Sequence, residues 1–443
     1  MDDWDVNSVP AINLCGSSYE IGFAHGSQLR EQIHAQLVIY EGIFQKNCKF
    51  SWEQVRATAK RYQPAIEKLA SHLFEEMRGI ADGVNGSGDA KAASNGEHPA
   101  EAAAGRRIDI FDVVALNARS EIALGQFDDG CTALAWNIGD LTDHDETSKG
   151  VRRQHKRILA QNWDWRTAVG PNLVLASIKQ EGKPDIWMVM EASWCLILAY
   201  TVLTPSPQPG IVGKIGFNSA SVGVCLNAIR AKPVDENLLP VHVILRLLLE
   251  QRCLTDALDL VSTLGGCASS QHILIASPFG SRGLELSPLG TVHLTEDSLG
   301  LLVHTNHFLE NHLVDEPPWL AGSPVRLDRA KTLCAALVQE YGKEQVREKM
   351  RPALLRQRVF ADTFNSPEAI CCAPDPCREE SVETLFNIVM QANVHHYYHY
   401  LHLRDVESST SSESSVTKSE GGFNKKLHLT ALRNATFSCV ILP

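Results

Sequence analysis

Apolar and polar positions change period along this chain. Up to about position 124 the apolar residues recur mainly at helical spacing. Beyond position 131 they fall mostly into short runs and alternations of strand type, and helical spacing returns only in blocks. Ile12-Asn13-Leu14 reads as a short strand. A turn at Cys15-Gly16-Ser17-Ser18 then leads into a helix with Ser18 as N-cap and Ile21, Phe23, Leu29 and Ile33 at helical spacing, running to about Gln45. Gly22, His25 and Gly26 fall inside it. Glycine costs a helix stability, so a close packing contact is expected there, and His25 reads as a satisfied core or interface histidine. Helical pattern continues over 52–80 with a kink or break at Pro64, and over 110–124 behind Asp109 as cap. Strands are predicted at 132–137, 158–163, 172–179, 186–191, 214–218, 222–227, 271–276, 283–286, 291–294, 301–303 and 384–391. Helices are predicted at 239–251, 255–264, 326–341 and 343–360. Helices, then many strands, then helices, without strict βαβ alternation, predict an α+β fold with layers packed on largely antiparallel sheets.

Composition narrows the function more than the fold. A chain of 443 residues can bury a large core. The net charge of −11 argues against nucleic acid as a partner, since phosphate binding needs a basic face. Twelve cysteines without framework spacing point to a reduced, intracellular setting rather than a disulfide scaffold. Met1-Asp2-Asp3-Trp4-Asp5 has no apolar stretch of signal-peptide type. The longest apolar run, 194–203, is too short to span a bilayer, so no membrane partner is expected. Ile441-Leu442-Pro443 is not a peroxisomal tripeptide; the expected setting is intracellular, cytoplasmic or peroxisomal, with no targeting signal seen. Residues 85–105 read as a flexible surface insertion. The tail 404–443, Ser-rich over 407–420, reads as disordered.

Candidate chemistry centres on Asp128-Asp129-Gly130-Cys131-Thr132-Ala133, where an acidic pair and a glycine lead into a strand. A break between Gly130 and Cys131 would expose an N-terminal cysteine, whose thiol is a nucleophile and whose α-amine can be its base. The amine titrates near pH ~8 and the thiol near ~8.5, so proton transfer between them is close to balanced. The plainer alternative is a buried strand cysteine. Three further segments fit an acyl-transfer site. Gln161-Asn162-Trp163-Asp164-Trp165 ends a strand with an aspartate that can orient or pair with the new amine. Lys214-Ile215-Gly216-Phe217-Asn218-Ser219-Ala220 is a strand and turn. Val303-His304-Thr305-Asn306-His307 ends a strand with a side-chain amide able to donate to an oxyanion. Each taken singly reads as structural. Gly213-Lys214 is not a phosphate loop, because Gly210 is too close and Ile215 stands where Ser or Thr is required. His304 and His307 lie at a strand end, where side chains alternate in direction, and Cys371, Cys372 and Cys377 have no partner cluster. No metal site is therefore expected.

In order, Tyr19-Glu20-Ile21-Gly22 with His25-Gly26, Asp129-Gly130-Cys131-Thr132, Gln161-Asn162-Trp163-Asp164, Gly213-Lys214-Ile215-Gly216-Phe217-Asn218-Ser219-Ala220, His304-Thr305-Asn306-His307 and Thr384-Leu385-Phe386-Asn387-Ile388 resemble the acyl-CoA:6-aminopenicillanic-acid acyltransferase (isopenicillin N acyltransferase) family, a branch of the N-terminal-nucleophile (Ntn) hydrolases. The ordered set covers most of the chain from about Val9 to Gln391. The resemblance implies a four-layer αββα sandwich and an inactive precursor. It implies cleavage between Gly130 and Cys131 into a small helical subunit, 1–130, that stays associated with a larger catalytic one, 131–403. It implies Cys131 as nucleophile, Asn306 as oxyanion donor and Asp164 supporting the amine or the cleavage. The substrate implied is a small-molecule amide or an acyl-CoA thioester, with no cofactor or metal and coenzyme A entering only as co-substrate. Two alternatives accompany it: an unprocessed, catalytically impaired family member, and a conventional Cys/His thiol hydrolase.

Three departures stand out. Residues 193–209 interrupt the family pattern like an insertion, consistent with translated intron or a misplaced gene boundary. Ile370-Cys371-Cys372 stands where the family has Ile-Cys-Arg, with Arg378 an unaligned substitute. Beyond Gln391 the family's last strand is not recognisable.

Overall fold

The structure is a computed structural model that describes residues 11–86, 106–123, 130–139, 156–166, 174–190, 210–317, 322–375, 377, 382–393 and 435–441. The insertion-like 193–209, most of 85–105 and the Ser-rich 407–420 lie outside these residues. β1 (Ala11–Cys15) buries Ile12 and Leu14 and turns into α1 (Ser18–Gln28). The cap falls one residue earlier than predicted. Ser17 accepts the Glu20 N–H, and the Glu20 carboxylate accepts the Ser17 N–H, because Glu20 stands three residues after Ser17. The single helix expected to about Gln45 is two: Leu29, at φ −126° and ψ 32°, separates α1 from α2 (Arg30–Ile43), which runs into a π-helical turn, Phe44–Cys48. α3 (Trp52–Arg61), α4 (Gln63–Leu69) and α5 (Ser71–Asn85) follow. The break predicted at Pro64 is present, with the proline in the first turn of α4, where a missing N–H costs little. α6 (Ile110–Asn117), capped by Asp109, and α7 (Arg119–Ile122) complete the N-terminal helices.

α1 and α5 cross with backbones almost touching. A methyl added at Gly22 would lie 1.9 Å from the Glu76 carbonyl oxygen, and one at Gly83 would lie 2.3 Å from that of Phe23. This is the close contact that the glycines inside α1 predict. His25, buried in the same helix, accepts the Gly210 N–H at Nε2, as a satisfied core histidine should.

The strands form two sheets. β1, β4 (Val174–Lys179), β5 (Ile186–Met190), β6 (Gly216–Asn218), β7 (Gly223–Ala228), β8 (Gln271–Ser277), β9 (Gly280–Ser287) and β10 (Gly290–Leu294) lie in that order in one. The other has the order β11 (Leu301–His304), β2 (Gly130–Asn137), β3 (Lys156–Arg166), β12 (Val382–Asn393) and β13 (Ala435–Ile441). All pairings are antiparallel except β1 with β4. β13 is a correction to the expected tail. Ala435–Ile441 pairs with β12 from Phe386 to Ala392, and its β-branched and aromatic residues make it a good strand once an edge is open to it.

β2 and β3 pack face to face on β7 and β8. Alternation then sorts β2: Cys131, Ala133 and Ala135 join the core between the sheets, whereas Leu134 and Trp136 pack against Leu327, Ala330 and Cys334 of α10 (Gly322–Lys349). α10 bends at Gly342 (φ 74°) and leads to α11 (Pro352–Leu355). α8 (Val241–Leu249) and α9 (Leu254–Leu264) lie against β6, β7 and β8 of the larger sheet. Residues before and after Gly130 share one core. Arg246 of α8 forks onto both Glu76 oxygens of α5 at 3.0 Å, and the Asn117 amide clamps the Gly210 carbonyl and the Val212 N–H. No helix among the described residues is long and apolar enough to cross a membrane.

Candidate active site

Strand pairing sets the site. In the β2–β3 ladder Gly130 is opposite Asp164 and Cys131 is opposite Trp163. Opposite residues share a face and successive ones alternate, so the Cys131 thiol points between the sheets with Trp163, while Asp164 lies with Gly130 on the face toward α10. Cys131 and Asp164 lie on adjacent strands one rung apart, with the carboxylate against Gly130. A methyl on Gly130 would stand 2.9 Å from Asp164 Oδ2, so glycine is the residue that admits this approach. Thr384, across β12, donates its hydroxyl to Asp164 Oδ1 at 2.6 Å and accepts the Cys372 N–H at 2.8 Å. Asn162, on the same face, donates to the carbonyls of Phe360 and Ile370 and anchors the loop that carries Cys371 and Cys372.

Asn306 stands two residues beyond β11. Its Oδ1 accepts the Cys131 N–H at 2.7 Å, and its Nδ2 donates to the Ala228 carbonyl at 3.1 Å. The turn that holds it is tied from below. Buried Glu285 accepts from His304 Nε2 and from the backbone N–H groups of Leu309, Glu310 and Asn311. Burial pushes the Glu285 carboxyl up, but the His304 and backbone donors outweigh it and hold it below the usual range. His304 also donates Nδ1–H to the Thr305 carbonyl and stacks on His272, ring centroids 3.5 Å apart. His307 turns instead to the hydroxyls of Thr305 and Ser323. Burial first, then His304 and Arg326, bring it down to about 4, so it is neutral near pH 7.

Sequence reasoning missed Arg326. From the second turn of α10 its Nη1 donates to the Cys131 carbonyl at 2.6 Å and to Thr132 Oγ1 at 3.2 Å, and its Nη2 donates to Asn306 Oδ1 at 2.9 Å. Ser323, one turn earlier on the same helix face, accepts the Asn306 N–H at 2.8 Å. The Ser323-x-x-Arg326 spacing at the start of the helix was the available signal. Buried Lys214 lies with its Nζ 3.5 Å above the ring of Trp163, the strand partner of Cys131, a cation–π contact. Gly213 packs against α8, where a methyl would meet the His242 carbonyl at 2.1 Å. Burial, and then the Asp164 charge, push the Cys372 thiol well up, with Arg326 pulling the other way. Arg378 and the acidic pair Asp128-Asp129 lie outside the described residues. No cluster of three or more His, Cys, Asp or Glu side chains suited to hold a metal occurs among the described residues.

The family model for acyl-coenzyme A:6-aminopenicillanic acid acyl-transferase matches residues 151–373, about half of the chain. The chain belongs to that family. The matched stretch takes in Asp164, Asn306 and Arg326 and begins after Cys131. The acyl-coenzyme A:6-aminopenicillanic-acid-acyltransferase 40 kDa form of Emericella nidulans is 28% identical over 382 residues, 85% of this chain and 88% of that protein. A mutant conjugated bile acid hydrolase from Clostridium perfringens aligns at 10% identity over 59% of this chain and 88% of its own, with a TM-score of 0.36, too loose a likeness to argue from.

Proposed function

We propose that this member of the acyltransferase family cuts itself between Gly130 and Cys131 and then works as an N-terminal-cysteine acyltransferase or amidohydrolase on a small-molecule amide or an acyl-CoA thioester. The two sheets with helices outside both are read as the αββα layering of Ntn hydrolases. One observation carries the reading. At the first residues of a central strand, the Cys131 N–H is held by Asn306 while the Asp164 carboxylate lies over Gly130.

The chemistry follows from those positions. Cys131 Sγ adds to the Gly130 carbonyl carbon and the peptide C–N bond breaks. The sulfur then carries the acyl group, and the nitrogen takes a proton to become an amine. Water hydrolyses the thioester, leaving a Gly130 carboxylate and a free thiol. Asp164 lies against Gly130 on the face away from the thiol, so the part given to it is to hold the Gly130 side of the scissile bond, while the thiol proton ends on the leaving nitrogen. In the mature site the α-amine accepts the thiol proton as Sγ attacks a substrate carbonyl. Asn306 donates toward the oxyanion. The acyl group passes from sulfur to an amine or to water.

A Cys/His thiol hydrolase has less support, because both ring nitrogens of His304 are already committed and His307 is bonded to two hydroxyls. An unprocessed family member has one observation in its favour, Cys372 where the family has arginine. Incubation with a simple aryl-acetyl-CoA separates these readings. The reading expects an acyl adduct on the fragment that begins at Cys131, and none with Cys131→Ala. An intact, unlabelled chain under turnover conditions overturns it.

A further inference from the structure

We propose that Arg326 is a positioning residue for the nucleophile: its guanidinium fixes which way the Asn306 amide points and holds Cys131 by its carbonyl. The inference rests on the N-terminal-cysteine reading above and assigns it a residue that the sequence motifs do not include.

The argument is one of donors and acceptors. A side-chain amide has one acceptor oxygen and one donor nitrogen. Cys131 N–H and Arg326 Nη2–H both need an acceptor, and both meet the same Asn306 atom, at 2.7 and 2.9 Å. Turning the amide over would set its NH2 against two donors at once, so Oδ1 is locked in place. Nδ2 is thereby directed away from Arg326, toward Ala228 of β7 in the other sheet. That is the side to which the Cys131 thiol points. One Nδ2 hydrogen serves the Ala228 carbonyl, and geometry aims the second toward the thiol's side of the strand, where a substrate oxyanion would form. Arg326 is itself buried and is held by the Cys131 carbonyl and Thr132 Oγ1, so it is not free to swing.

Its charge has a second effect. Two nitrogens that share one acceptor oxygen lie about 5 Å apart, close enough for a cation to disfavour an ammonium. After cleavage the Cys131 nitrogen is an amine; Arg326, with Lys214 over the Trp163 ring behind it, favours its neutral form, and the Asp164 carboxylate on β3 opposes them from farther off, across the face on which it meets Gly130. Position 372 is a cysteine, and among the described residues the cation bonded to Cys131 is Arg326 of α10.

The test uses full-length chain carrying R326Q or R326K. Two quantities are read: the fraction cleaved, and the pH dependence of Cys131 alkylation by iodoacetamide, followed by mass spectrometry of the fragment beginning at Cys131. The midpoint reports the coupled thiol–amine pair. R326Q is expected to move it up by about one pH unit. R326K keeps the charge and is expected to leave the midpoint close to wild type while slowing cleavage through loss of the fork. Failure of R326Q to cleave, with R326K still cleaving, also supports the proposal. A wild-type midpoint in R326Q overturns it, as does an equal shift in R326K, or loss of cleavage in both with wild-type melting. Wild-type protein that never cleaves overturns the underlying reading, and this inference with it.

Discussion

Thr384→Val isolates the support of Asp164 with little change of shape. The Thr384 hydroxyl donates to Asp164 Oδ1 at 2.6 Å, so the substitution removes one short hydrogen bond to a carboxylate and leaves the β12 backbone in place. A hydrogen bond to a charged group contributes about 1.5–3 kcal/mol. If Asp164 must be held over Gly130 for cleavage, losing that restraint slows self-cleavage by about 10- to 100-fold. The same hydroxyl accepts the Cys372 N–H at 2.8 Å, so stability falls as well, by about 1–3 kcal/mol for the abandoned donor. The assay is a time course of fragment appearance on denaturing gels, with thermal melting in parallel and Thr384→Ser as control. Serine keeps the hydroxyl and is expected to restore most of the rate. Wild-type cleavage in the valine variant, or a serine variant as slow as valine, refutes the role given to this contact.

Two further predictions concern stability. His25 accepts the Gly210 N–H at Nε2, so a proton there breaks the contact, and burial first, with Arg246 next, brings its pKa to about 3. The unfolded chain protonates this residue near 6.5, so between 6.5 and about 3 the unfolded state binds more protons. The contribution is therefore complete above pH ~6.5 and declines as pH falls, by roughly 2–3 kcal/mol at pH 4.5. Urea midpoints against pH should show this slope in wild type and about one proton less in His25→Gln; equal slopes contradict it. Glu76→Gln takes the bidentate carboxylate from buried Arg246, which keeps Glu250 and the Val212 carbonyl, and should cost about 1.5–3 kcal/mol in denaturant unfolding, with a loss under roughly 0.5 kcal/mol as the contrary result.

What the sequence disclosed follows from range. The strands predicted at 132–137, 158–163 and 384–391 fall inside β2, β3 and β12 because strand alternation is local, with β3 and β12 running two or three residues past both predicted ends and β2 starting two residues earlier, and Asn306 was legible as a polar residue just past a strand. Arg326 was not: it meets the Cys131 carbonyl across 195 positions, and an arginine near a helix start reads as a solvated one. The face on which Asp164 lies was also hidden, since it depends on the Gly130–Asp164 register rather than on either segment alone. The break at Leu29 has no glycine or proline at that position to announce it, and β13 was obscured because it follows a long polar stretch.

N-terminal sequencing of the purified protein's fragments bears most directly on the central claim. The account predicts a larger fragment that reads Cys-Thr-Ala-Leu-Ala-Trp from its first cycle, and an intact chain when Cys131 is replaced by alanine. A single full-length polypeptide in the wild type, or a new terminus anywhere other than Cys131, contradicts it.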